Sequence, residues 1–197
     1  MTRSESGHSG DLAGYEVLVV VCGGIAAYKV CSVVSQLVQR GAGVTAAMTK
    51  AARKFVGSIT FQSLSGRKVL TSLWQSTSDY DAQHIRVADR AELCIVAPAT
   101  ANIIGKIASG IADDLASTLL ASVRATVLLA PSMNPNMWKN PFVQSNVARL
   151  TEAGHYLVGP GEGWLACRTM GVGRMAEPEE ITETAANLLK SNPPRKR

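Results

Sequence analysis

Apolar residues in this chain fall into short unbroken runs, and between the runs the hydrophobic spacing widens to three and four. Val17 to Cys22 is such a run, closed by Gly23-Gly24, and predicts a buried strand entering a tight turn. From Ala26 to Arg40, residues Val30, Val33, Val34, Leu37 and Val38 recur at helical spacing until Gly41 ends the pattern. The alternation continues with a strand over Gly43 to Met48, a helix over Ala51 to Ser63, and a strand over Leu93 to Ala97 that stops at Pro98. Ala101 to Ala121 reads as a helix in two pieces, broken near Gly110. A strand over Thr126 to Ala130, a helix over Pro141 to Ala153, a short strand over Tyr156 to Val158 and a closing helix over Pro178 to Lys190 follow. Gln75 to Gln83 is polar without an apolar period, which predicts a loop delivering His84.

Short apolar strands alternating with helices predict an α/β fold: a doubly wound parallel sheet, Rossmann-like or flavodoxin-like, with helices on both faces in three layers. Such sheets bind ligands beyond the carboxyl ends of their strands. Gly23-Gly24, Thr49, Pro98 to Ala101 and Ser132 to Asn134 each follow a strand, so these loops converge on one rim and predict a single site. The length suits one domain over residues 15–190. Residues 1–14, polar and rich in Gly and Ser, and 191–197, basic, are expected as disordered tails.

Composition narrows the function classes. The net charge of +5 is mostly terminal, since Arg195, Lys196 and Arg197 supply three of those charges. No basic stripe with interleaved aromatics appears, so nucleic-acid binding is set aside. No apolar run is long enough to span a bilayer and no signal-peptide pattern opens the chain, so no membrane role is expected. Cys22, Cys31, Cys94 and Cys167 are scattered without a CxxC pair, which predicts reduced thiols and a cytoplasmic protein.

Gly23-Gly24-Ile25-Ala26 would let the backbone approach an anion at a helix N-terminus. It is not GxGxxG, and no acidic residue ends the second strand to hold a ribose hydroxyl. Thr49 stands there instead, a hydroxyl suited to a phosphate monoester, which favours a mononucleotide such as FMN over NAD. A plain strand-to-helix turn at Gly23-Gly24 and a helix cap at Thr49 account for the same residues. In Pro131-Ser-Met-Asn-Pro-Asn-Met-Trp138, Asn134 would hold a carboxylate or close an Asx turn. In the Gly-rich stretch Leu165 to Met175, Cys167 would deliver a proton from a segment folded over the pocket. An amide and a thiol of this kind suggest redox chemistry on a small acid.

Several motifs carry a resemblance when taken in order. They are Gly23-Gly-Ile-Ala-Ala-Tyr-Lys29, His84-Ile85, Ala97-Pro-Ala-Thr-Ala-Asn102, Gly110-Ile-Ala-Asp-Asp114, the Pro131 to Trp138 segment and Ala166-Cys-Arg-Thr-Met-Gly-Val-Gly-Arg-Met175. Over about Glu16 to Leu189 the chain resembles the homo-oligomeric flavin-containing cysteine decarboxylases. The resemblance implies an FMN-binding fold in homotrimers, or larger assemblies such as homododecamers, with FMN at a subunit interface. By matching positions, Gly23, Gly24, Ile25, Thr49, Phe55, Pro98, Ala99, Thr100, Ala101 and Ser132 would hold FMN. Asn134, Met137, Ala166 and Arg174 would bind substrate, with no metal.

The implied reaction converts 4'-phospho-N-pantothenoylcysteine to 4'-phosphopantetheine in coenzyme A biosynthesis. The thiol is oxidised to a thioaldehyde, carbon dioxide leaves, and the enethiol is reduced, with FMN carrying the hydride. His84, kept neutral near a helix start, is implied as the base in thiol oxidation, and Cys167 as the acid in the reduction. A separate phosphopantothenate-cysteine ligase is the expected pathway partner. The alternatives are a peptidyl-cysteine decarboxylase, which stops at the enethiol and lacks the cysteine, a non-catalytic FMN-binding regulatory protein, and an FMN prenyl-transfer enzyme. Arg168 where the family usually has Gly, Arg90 in place of Trp, and Cys22 in place of Ser or Thr depart from the family pattern.

Overall fold

The computed structural model describes residues 10–74 and 83–195, with the backbone alone for residues 83 and 84. Strand β1 (Glu16–Val21) shows why the sheet is covered on both sides. Val17, Val19 and Val21 enter one apolar layer, whereas Leu18, Val20 and Cys22 enter the other. A strand with no solvated face reads as an unbroken apolar run, because both of its alternating sides are buried. β2 (Gly43–Met48), β3 (Leu93–Ala99), β4 (Thr126–Pro131) and β5 (Tyr156–Leu157) complete a parallel sheet in the order β2-β1-β3-β4-β5.

On one face lie α1 (Val30–Gln39), α2 (Ser58–Ser65) and α8 (Pro178–Lys190). Val30, Val33, Val34 and Leu37 of α1 pack there with Phe61, Ile181, Ala185 and Leu189. The other face carries α3 (Gln83–Arg90), α4 (Ala101–Ala108), α5 (Leu115–Ser122) and α7 (Pro141–Glu152). Ile103, Ile104, Leu119 and Leu150 meet Leu18, Val20 and Val96 in that layer. Each large aliphatic side chain buried this way contributes roughly 1.5–3 kcal/mol. The predicted three-layer, doubly wound architecture is what the chain adopts.

Several boundaries differ from the expectations. The first helix begins as a 3-10 turn over Ile25–Lys29 before α1. The helix expected over Ala51 to Ser63 is split into a 3-10 turn, Ala52–Lys54, and α2, because Gly57 is extended and starts α2 afresh. β3 runs past Pro98: the ladder to β4 shifts between Val96 and Ala99, where proline has no N–H to give, and resumes at Ala99 opposite Pro131. The Gly-rich stretch is an antiparallel hairpin, β6 (Gly161–Trp164) and β7 (Met170–Arg174), and Pro135–Trp138 forms a one-turn helix, α6. The loop expected before His84 lies largely outside the described residues.

Residues 10–14 and 191–195, expected as parts of tails, pack against the domain instead. Leu12 is 0% exposed, its N–H bonds the Arg40 carbonyl at 2.9 Å, and Asp11 pairs with Arg40 and Lys190 at 2.5 Å each. After α8, the Asn192 carbonyl accepts from the Tyr15 hydroxyl at 2.7 Å, and the Arg195 N–H donates to Glu92 at 2.6 Å. Composition hid these segments because their partners lie far along the chain. Leu12→Ala should therefore lower stability by about 2–4 kcal/mol in a urea titration, where a tail residue would cost nothing.

Arg40, and then Lys190, hold the Asp11 carboxyl well below the ordinary carboxylate range. A carboxyl depressed in the folded state stabilises above its unfolded pKa, about 4, and loses that contribution as the pH falls through the folded value. Asp11→Asn should therefore remove part of the stability difference between about pH 6 and pH 3, read by urea titrations at each pH.

Candidate cofactor and active site

The strand order reverses between β1 and β3, so the loops leaving them part and open a crevice at their carboxyl ends. A cavity of about 630 Å³ lies there, within the range of small-molecule and cofactor sites. Gly23, Gly24 and Ile25 after β1, Thr49 after β2, Thr100 and Ala101 after β3, and Ser132 and Asn134 after β4 all line it. Met137, Ala166 and Cys167 close the remaining side. Most of the residues expected at the site are thus brought together by the convergence of four loops.

Each loop has a local physical reason for its shape. A side chain at Gly23 would overlap the Ala51 Cβ, so glycine lets the β1 and β2 loops touch. Thr100 caps α4, accepting from the Ile103 N–H at 3.4 Å. Thr49 Oγ1 accepts from the Ala52 N–H at 3.1 Å, so the capping role holds, yet the hydroxyl keeps its own hydrogen for a ligand oxygen. Asn134 divides its amide in the same way. Its Oδ1 caps α6 by accepting from the Asn136 N–H at 2.8 Å, and its Nδ2 donates to Cys167 Sγ at 3.5 Å.

The β6–β7 hairpin brings Cys167 to this wall. The Met133 N–H bonds the Gly173 carbonyl at 3.0 Å, and a Cβ at Gly173 would overlap the Met133 carbonyl oxygen, so the glycine lets β7 rest directly on the Asn134 loop. At the hairpin tip the Leu165 N–H bonds the Thr169 carbonyl and the Arg168 N–H bonds the Leu165 carbonyl, both at 2.9 Å. Arg168 has φ +63°, the left-handed position that such three-residue hairpin loops usually give to glycine. It is the one non-glycine residue with positive φ among the described residues.

Electrostatics separate the two thiols on the cavity wall. Burial, followed by the charge of Asp114, pushes Cys22 up to about 12, so it packs as a neutral group. Cys167 is exposed, and the Thr169 hydroxyl at 3.1 Å, with smaller help from backbone groups and Asn134, lowers its pKa below that of an ordinary thiol. Among the described residues the wall carries one cation, Lys50, and one carboxylate, Asp114. Partial burial works to raise Asp114, but hydrogen bonds from Lys106 at 2.7 Å and from Ser117 outweigh it and hold the carboxyl low.

Four expected residues lie off the cavity wall. Phe55 is 48% exposed and off the cavity wall, because the 3-10 turn ends there. Arg174, expected at the substrate, is held by Glu177 at 2.5 Å, and Glu177 also takes Lys29 at 2.9 Å. Ala99 is fully buried beneath the loops, and Pro98 sits behind Gly24. His84 lies in the first turn of α3, and its side chain is outside the described residues. Sequence reasoning missed Lys50, which no pattern marks, and placed Met133 in a candidate loop without giving it a role. It also gave Asp114 no role, although its Asp-Asp pair ahead of a helix is a capping signal.

The residues present fit a flavin mononucleotide. Glycine backbone and the Thr49 hydroxyl suit a phosphate end, and Ile25, Ala101 and Met133 supply apolar walls for a ring. Gly23→Ala should therefore cost the protein its flavin, seen as loss of flavin absorbance after gel filtration. Arg168→Gly should remove a left-handed strain of about 1–2 kcal/mol and slow cleavage of the hairpin tip by a protease that does not cut after arginine.

Comparison with known proteins agrees with this fold. The chain is 47% identical over 169 residues to the coenzyme A biosynthesis bifunctional protein CoaBC of Bacillus subtilis, covering 86% of this chain and 42% of that protein. Against CoaBC of Mycolicibacterium smegmatis the identity is 42% over 173 residues, covering 88% and 41%. The chain thus spans less than half the length of the curated relatives it matches. A solved PPC decarboxylase mutant complexed with pantothenoylaminoethenethiol superposes with a TM-score of 0.80 at 29% identity, covering 90% of this chain and 99% of that one. The FMN-dependent cysteine decarboxylase SpaF gives 0.78 at 27% identity, covering 91% and 98%. The family described as Flavoprotein matches residues 5–190, and the chain belongs to it.

Proposed function

We propose that this chain is an FMN-dependent decarboxylase converting 4'-phospho-N-pantothenoylcysteine to 4'-phosphopantetheine in coenzyme A biosynthesis. The observation that carries this reading is the meeting of Asn134 Nδ2 and Cys167 Sγ, 3.5 Å apart, on the wall of a cavity shaped for a mononucleotide. The CoaBC relatives and the PPC decarboxylase neighbour support the substrate, and the FMN-dependent neighbours support the cofactor. Gly23, Gly24, Ile25, Thr49, Thr100, Ala101 and Ser132 would hold FMN, which supplies hydride removal from the thiol-bearing carbon and hydride return after decarboxylation.

The chain's own groups do the rest. The second N–H of the Asn134 amide binds the substrate carboxylate and turns it out of the plane of the thiol carbon, so that carbon dioxide can leave as electrons flow into the C=S bond. His84 serves as the base that takes the thiol proton in the oxidation. Cys167, lying against the same amide, gives its proton to the enethiol during the reduction. Closure of the hairpin keeps water from the intermediate.

The assembly belongs to the same proposal. Ile25 on the cavity wall and Tyr28 in the same 3-10 turn are 58% and 59% exposed. Such apolar exposure supports cover by another copy, in a homotrimer or a homododecamer built from trimers, with FMN at the subunit interface. A phosphopantothenate-cysteine ligase would supply the substrate, and four free thiols suit the cytoplasm. No helix among the described residues is long and apolar enough to cross a membrane.

Anaerobic incubation with phosphopantothenoylcysteine tests this reading by product mass. The expected product is lighter by about 44 mass units, carbon dioxide alone. Cys167→Ser should shift the loss to about 46, because the enethiol is no longer reduced. Asn134→Ala should lower turnover at least about 100-fold while the flavin stays bound. Recovery of unchanged acid from flavin-loaded protein would reject the substrate.

A further inference from the structure

We infer that Thr169 is a positioning residue for Cys167: its hydroxyl holds the sulfur at the cavity wall and stabilises the thiolate left when the thiol gives up its proton. This deepens the proposed function and rests on the proton-donor role given there to Cys167. Cys167 Sγ and Thr169 Oγ1 are 3.1 Å apart, and the Leu165–Thr169 backbone bond that closes the hairpin tip fixes this spacing. Asn134 Nδ2 reaches the same sulfur from the opposite element at 3.5 Å. Two polar groups from two segments thus converge on one exposed thiol: the Asn134 amide donates to it, and the Thr169 hydroxyl can accept from the thiol and donate to the thiolate. Of the two, only Thr169 has no other side-chain hydrogen bond among the described residues. Asn134 is already committed to capping α6.

The chemistry calls for such a donor. In the reduction step one carbon of the enethiol would receive the Cys167 proton and its neighbour a hydride from flavin reduced in the thiol oxidation. The C=C bond would become a single bond and Cys167 would remain as a thiolate. A hydroxyl pointing at the sulfur lowers the cost of that charge and is the nearest group through which solvent returns the proton. The ionisable groups elsewhere on the wall, Lys50 after β2 and Asp114 at the start of α5, are not among those that shift the thiol, and neither is its chain neighbour Arg168. The shift comes first from the Thr169 hydroxyl.

The test compares Thr169→Val with Thr169→Ser in the flavin-loaded, full-length protein, without substrate. Iodoacetamide labelling of Cys167 is measured by peptide mass from about pH 5 to pH 10, so the buried Cys22 and Cys94 do not interfere. Thr169→Val should move the labelling midpoint up by about one unit and slow labelling several-fold near neutral pH, whereas Thr169→Ser should restore the parent profile. With phosphopantothenoylcysteine, Thr169→Val should release a larger share of unreduced enethiol at unchanged flavin content. A Val variant that titrates like the parent, or a Ser variant that fails to restore it, overturns the inference. If the parent does not turn over this substrate while the titration still moves, the substrate proposal falls and the Thr169–Cys167 pairing stands.

Discussion

β1 sits between β2 and β3 and is buried on both faces, and the site follows from that placement. A parallel strand packed on both sides must send its connections to helices above and below the sheet. Where the strand order turns, at β1 and β3, the outgoing loops go to opposite faces and leave a gap that no backbone fills. Val17, Val19 and Val21 hold α1, α2 and α8 on one side, and Leu18, Val20 and Cys22 hold α3, α4, α5 and α7 on the other. The cavity is the space this arrangement cannot close. Its floor is rigid because the strands beneath it belong to the core.

Closeness between loops then shapes the crevice. Gly23 lies against Ala51 and Gly173 against Met133, and neither contact admits a side chain. The first contact sets the end of the cavity suited to a phosphate. The second lays a hairpin over a loop whose amide is already oriented by its own cap. Arg168 runs against this economy, since it occupies a left-handed position where glycine would rest without strain. The hairpin tip therefore carries conformational strain beside the cavity wall that Cys167 lines.

The cavity's thiols differ because their surroundings differ. Cys22 is enclosed by strands and lies near the Asp114 carboxylate, both of which disfavour a thiolate. Cys167 stands in solvent between a hydroxyl and an amide, both of which favour it. Residue type alone would not distinguish them. Burial first, and the nearby carboxylate second, make Cys22 an inert packing group, whereas exposure and neighbouring hydrogen bonds leave Cys167 free to titrate.

The chain's local patterns determined its layers. Apolar runs can only be strands buried on both faces, valines at helical spacing can only cover them, and residues placed just after such strands must gather at one rim. Gly23, Gly24, Thr49, Thr100, Ser132 and Asn134 were legible for that reason, and ordered motifs then pointed to a flavin. Contacts between distant segments were not legible, because no local period records them. Leu12 and Asp11 read as tail until Arg40 and Lys190 came to meet them. The Arg174–Glu177 pair also joins groups that no local apolar period marks. Asn134 and Cys167 are 33 residues apart, and only the folding of β7 onto Met133 brings the amide to the sulfur. Side-chain periodicity carries information about burial, whereas the pairing of polar groups depends on where the folded backbone places their partners.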